Sequence, residues 1–122
     1  MQIPILYALT HPNHIKSTIP KTNILDLPNL TFEEVSNERY PLFNIALNAG
    51  IQGGILPTVL NASNEAAIDL FIERKISFTD ISKIVEKQIS NFHNFQDPSI
   101  EEIIKINKEI YIQTKQNYKN LI

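Results

Sequence analysis

The sequence predicts a mainly α protein, a small four-helix bundle preceded by a proline-rich extended arm holding one short helix and one short strand-like segment. Three observations carry this. Apolar residues recur at steps of three and four from Pro41 onward. Helix-start signals stand at the serines Ser77 and Ser99. Pro4, Pro12, Pro20 and Pro28, with Pro41 just beyond, are spaced so that no long helix can run through the first forty residues. The boundary is expected at residue 38, giving an arm over 1–38 and a bundle over 39–122.

Within the arm, "IPILYALTHPNHIKS" holds a short helix from about Pro4 to Leu9, and "NLTFEEV", Asn29 to Val35, reads as a short extended segment. The spacing from Thr31 to Glu34 also fits a capping box, but no apolar helical repeat follows it. Pro41 then opens a helix with Leu42, Ile45, Ala46 and Ala49 inward and Gly50 as its stop. A central helix is expected from near Pro57 to about Lys75, with Leu60, Ala67, Leu70 and Phe71 on one side and Arg74-Lys75 at its negative pole. Ser77-Phe-Thr-Asp80 starts the next, whose stripe is Phe78, Ile81, Val85, Ile89 and Phe92. The last begins at Ser99, with Glu102 reaching back, and carries Ile100, Ile103, Ile104, Ile110, Tyr111, Tyr118 and Leu121. Short connectors favour antiparallel neighbours, since each helix has one apolar face to bury on the others.

Composition excludes several functions. A net charge of -2 gives nothing basic enough to track a phosphate backbone, so nucleic acid is not an expected partner. No apolar run approaches the ~18 residues of a membrane span, and the start lacks a signal-peptide layout, so the expected setting is cytoplasmic. With no cysteine there is no disulfide, thiolate nucleophile or thiolate metal site. The three glycines, Gly50, Gly53 and Gly54, cannot write a dinucleotide or P-loop fingerprint.

The candidates for chemistry read as follows. His11 and His14 form H-x-x-H, but Pro12 lies between them and no third ligand follows, so loop imidazoles are the plainer reading beside a metal pair. His93 reads as a helix-end residue rather than a general base. Glu33-Glu34 and Glu101-Glu102 are adjacent pairs that diverge on a helix or a strand and cannot share a proton. Glu65, Asp69 and Glu73 fall on one face of the central helix, where they could collect a hard cation, although surface charge is the plainer use. Asn61-Ala-Ser63 and Asn29-Leu-Thr31 match the glycosylation sequon, a triplet common by chance. The expectation is therefore no catalytic residue and no metal ligand in this chain.

The run "LNASNEAAIDLF" is more particular. If the helix starts at Pro57, then Asn61, Ser63 and Asn64 lie inside it, where they have no propensity advantage and are expected to bond groups outside it. "PTVLNASNEAAIDLFIERKISFTDI", Pro57 to Ile81, closely resembles the carboxyl-terminal part of the 1-deoxy-D-xylulose 5-phosphate reductoisomerase family. That family shows a Leu-Asn-Ala-(Ala/Ser)-Asn-Glu core, matched by Leu60 to Glu65, and a Phe-x-Asp-Ile turn, matched by Phe78, Asp80 and Ile81. The opening "MQIPILYALTHPNHIKS" is similar to the family's Met-x-x-Pro-Ile stretch, with His14 standing where the family usually has arginine.

The resemblance implies an enzyme of three parts, of which this chain has the end of the catalytic domain with its linker arm (1–38) and the helical bundle (39–122). It implies NADPH and Mn²⁺ or Mg²⁺ as cofactors of the full enzyme and none in this chain. It implies the remaining domains of the same enzyme as partners, a homodimer, and a cytoplasmic or plastid-type setting. It also implies that Met1 packs near the substrate and nicotinamide. Asn61, Ser63, Asn64 and Glu65 are themselves expected to form a polar docking patch where bundle meets arm, beside the plainer reading of a solvated helix face. The second reading is a free-standing helical interaction module derived from that enzyme.

Overall fold

The computed structural model describes residues 2–19 and 23–118. They form five helices: α1 (Gln2–Thr10), α2 (Pro41–Gln52), α3 (Leu56–Ile72), α4 (Phe78–Asn91) and α5 (Ile100–Asn117), with one 3-10 turn at Ile24–Asp26. Contacts divide the chain into two units, Met1–Glu33 and Glu34–Ile122, so the division falls upstream of the expected residue 38.

In the first unit, α1 covers the expected helix and gains a residue or two at each end, but none of its residues is buried. Its apolar side chains point all round rather than along one stripe: Ile3, Ile5 and Leu9 are all exposed. The segment expected to be strand-like, 29–35, has no regular structure, and there is no strand among the described residues. A lone extended segment has no neighbour to accept its ladder hydrogen bonds, which is why the β-branched and aromatic content of "NLTFEEV" makes no sheet.

The second unit is the four-helix bundle. α3 is central and packs on α2, α4 and α5. Two clusters make the core: Ala67, Leu70, Ile76, Ile81 and Ile84 between α3 and α4, and Val59, Ala62 and Ile110 between α3 and α5. Of the face expected on α3, Ala67 and Leu70 are fully buried and the other two positions are not. Leu60 is half-buried and Phe71 is 40% exposed, while Ala62, Ser63, Ala66 and Ala67 are all fully buried. Small side chains let neighbouring helices approach α3 closely beside the larger Val59 and Leu70, which are equally buried.

Local signals explain the ends. α2 runs past Gly50 and stops at Gly53, whose φ of 64° suits glycine and whose N–H reaches the Ala49 carbonyl at 3.0 Å. α3 ends with Arg74 left-handed at φ 59°, Arg74 N–H bonding Phe71 O and Lys75 N–H bonding Leu70 O, the two bonds of a Schellman close. α4 starts at Ser77, where the Asp80 carboxylate accepts from the Ser77 backbone N–H at 3.0 Å and from its hydroxyl at 2.5 Å. α5 starts with a full capping box: Glu102 N–H donates to Ser99 Oγ, and the Glu102 carboxylate accepts from Ser99 N–H at 2.8 Å.

The α4 stripe is buried at Ile81 and Val85, joined by Ile84, but Phe78 is 72% exposed. On α5 the expected stripe is half right. Ile110 is buried, whereas Ile100 and Ile104 are 71% and 64% exposed. Leu121 lies outside the described residues.

Candidate functional site

The polar run of α3 divides by face. Ser63 is fully buried, and its hydroxyl donates to Val59 O at 2.8 Å and Leu60 O at 3.1 Å, inside its own helix. This corrects the expectation that Ser63 bonds a group outside α3: a short hydroxyl one turn below a helical carbonyl finds that acceptor first. Asn61 and Glu65 are exposed and Asn64 half-buried, and among the described residues none of the three has a side-chain hydrogen bond.

One turn further along, α3 is tied to α5 by charge. The Tyr111 hydroxyl donates to the Asp69 carboxylate in a short hydrogen bond. Glu73 accepts from Lys75 and from Lys115, each at 2.5 Å. Hydrogen bonds from Lys115 first and Lys75 second hold the Glu73 carboxyl down at about 2, well below the ordinary 4.5. The Asp69 carboxylate and, second, burial push the Tyr111 phenol above its ordinary value. Of the acidic stripe, Asp69 is thus held by a phenol and Glu73 by two ammonium groups. Among the described residues, no three His, Asp or Glu side chains converge as a metal would require.

The remaining candidates are dispersed. His14 stacks on Tyr7 at 4.9 Å between centroids, and His11 meets the same ring edge-on at 5.6 Å. His93 is exposed just after Phe92, the C-cap of α4. Glu102 is spent on its capping box, where the Ser99 N–H first and the hydroxyl second lower its carboxyl. Asp80 is lowered to about 2 by the Ser77 hydroxyl and then Lys83. Met1 lies outside the described residues.

Sequence reasoning missed a second seam. In the turn between α2 and α3, the Ile55 N–H donates to Phe95 O at 3.1 Å and to Asn94 Oδ1 at 3.2 Å. Asn94 returns a bond to Gly53 O, and Gln96 donates to Gln52 O at 3.2 Å. Gly54, at φ 62°, sits so close that a Cβ would stand 2.3 Å from Phe95 O. Two loops some forty residues apart are stitched here, and the signal for it is the adjacent Gly53-Gly54 opposite an amide-rich loop.

The arrangement braces α3 against α5 and joins two loops. Residues 1–112 match the family described as the DXP reductoisomerase C-terminal domain. The chain belongs to the DXP reductoisomerase family. It is 42% identical over 110 residues to 1-deoxy-D-xylulose 5-phosphate reductoisomerase of Crocosphaera subtropica, a match covering 88% of this chain and 28% of that protein. Against the apicoplastic enzyme of Plasmodium falciparum it is 45% identical over 94 residues, 77% of this chain and 19% of that one. A solved reductoisomerase from Zymomonas mobilis, in complex with NADPH, superposes with a TM-score of 0.77 at 32% identity, over 95% of this chain and 31% of that chain.

The chain therefore spans less than a third of these reductoisomerases. The residues described do not fit the reductoisomerase cofactors. There is no glycine-rich turn to approach a pyrophosphate, and of the acidic stripe Asp69 is held by Tyr111 and Glu73 by Lys75 and Lys115, which leaves Glu65 alone. No comparison favours a free-standing interaction module. Among the described residues, no helix is long and apolar enough to cross a membrane.

Proposed function

We propose that this chain is the carboxyl-terminal part of an NADPH-dependent reductoisomerase that converts 1-deoxy-D-xylulose 5-phosphate to 2-C-methyl-D-erythritol 4-phosphate for isoprenoid biosynthesis. A divalent Mn²⁺ or Mg²⁺ polarises the substrate oxygens in that enzyme, and NADPH supplies the hydride. Residues 1–38 close the catalytic domain and form the linker, and 39–122 form a supporting bundle that does not turn over alone. Met1 packs near substrate and nicotinamide in the assembled enzyme. That enzyme works as a homodimer in the cytoplasm or a plastid-type organelle.

The observation that carries this reading is the family match over residues 1–112, which takes in both units of the chain. The bundle supports it chemically: Asp69 with Tyr111 and Glu73 with Lys115 are paired across α3 and α5 as braces. Asn61, Asn64 and Glu65 act as a docking patch, offering two amides and a carboxylate to backbone groups outside the bundle.

The test is a chimera joining this chain to the preceding part of the Crocosphaera enzyme. With 1-deoxy-D-xylulose 5-phosphate and Mn²⁺, the chimera oxidises NADPH and the isolated chain does not; turnover by the isolated chain refutes the division of labour. Asn64→Ala tests the patch. It should cost ~1 to 3 kcal/mol in the chimera, where the amide is bonded, and almost nothing in the chain alone.

A further inference from the structure

Beside the first turns of α2 and α4 lies a groove of about 850 Å³, lined by Val35, Tyr40, Phe43, Phe78 and Ile81 together with the charged Glu38, Arg39 and Lys83. Its aromatic walls are open to solvent: Tyr40 is 52%, Phe43 50% and Phe78 72% exposed. From Phe43 the apolar surface continues along α2 through Leu47 and Ile51, at steps of four, on the side turned away from Leu42 and Ala49. A solvated helix face would carry polar residues at these positions. Aromatic anchors in a concave, largely apolar site are the composition of an interface core. Lys83 is already paired with Asp80, while the Arg39 guanidinium lies over the Tyr40 ring, 5.6 Å from its centroid, and has no carboxylate partner among the described residues.

Resting on the reading above, we propose that this groove and the Phe43-Leu47-Ile51 ridge seat the catalytic portion of the longer reductoisomerase chain. The inserted element would carry apolar side chains into the groove and an acidic group against Arg39. The choice of occupant follows from size. The Crocosphaera relative is 28% covered by this chain, so most of that polypeptide lies outside it. α2 has 12 residues, which makes it roughly 18 Å long, and its face offers far less than the ~800 Å² per partner of a stable free association. A second copy would need that area. A covalently joined domain does not, because tethering supplies an effective concentration on the order of millimolar.

The experiment is hydroxyl-radical labelling of Tyr40, Phe43 and Phe78, read by mass spectrometry, in the isolated chain and in the chimera, with Ile68, Phe71 and Ile72 on α3 as the comparison face. The proposal expects labelling of the three groove residues to fall at least fivefold in the chimera and to be independent of concentration in the isolated chain. Equal labelling in both overturns it, and NADPH oxidation by the same chimera then shows that the functional reading survives. Protection confined to the α3 face also overturns it. So does protection in the isolated chain: if it grows with concentration the occupant is a second copy, and if it is constant the chain covers its own groove.

Discussion

Leu25 and Leu70 are the same side chain, yet one is 87% exposed and the other fully buried. The contrast extends to their surroundings. Of the described residues in 2–33 none is buried, although Ile3, Ile5, Leu9, Leu30 and Phe32 are all large and apolar. The bundle hides Ile55, Val59, Leu70 and Val85 almost completely. Apolar content is therefore not what makes a core. The nine residues of α1 fall short of the ~12 to 15 at which an isolated helix is even marginal in water, and its apolar groups share no stripe. The bundle helices have 12 to 18 residues and a repeat that returns to one face.

Leu70→Ala should open a cavity at the α3–α4 seam and cost about 2 to 5 kcal/mol in chemical denaturation, whereas Leu25→Ala should stay within ~0.5 kcal/mol. Similar costs at the two positions would erase the distinction between the regions. Gly54→Ala should be nearly as severe, about 2 to 4 kcal/mol, since it adds a Cβ at positive φ against the Phe95 carbonyl. Restoration of that stability by a second change in the 94–96 loop would sharpen the assignment of the seam.

Tyr111→Phe leaves the half-buried Asp69 without its donor and should lower stability by about 1 to 2 kcal/mol at neutral pH. The smallest effect is in acid. Glu73 and Asp80 both have folded-state values lowered to about 2, from 4.5 and 3.8. Their contributions are fully present above those ordinary values and are lost as pH falls toward 2. Circular dichroism over that window should show the bundle weakening, and Lys115→Met should flatten the part due to Glu73. An unchanged acid profile would mean that the Lys115 bridge is decorative.

Much of the bundle was legible because its signals are local. Ser77 with Asp80 and Ser99 with Glu102 announce helix starts within four residues, and the structure shows both. The α3 face was legible in part: Ala67 and Leu70 are buried as expected, while a periodicity that weights large side chains passes over Ala62 and Ala66. The polar residues were harder. Nothing within the sequence around Asn94 shows that it will meet Gly53, or around Asp69 that it will meet Tyr111, because both pairs are more than forty residues apart. Ser63 was expected to reach outward, but a carbonyl four residues back in its own helix was nearer.

The bonds from Ile55, Asn94 and Gln96 make the two connections at that end of the bundle one mechanical unit. A protein engineer choosing where to cut and rejoin the backbone, or to insert a tag, thus faces unequal options. The bend around Arg74 and Ser77 closes on its own short-range bonds and can be opened with local damage, whereas severing 52–55 releases 94–96 as well.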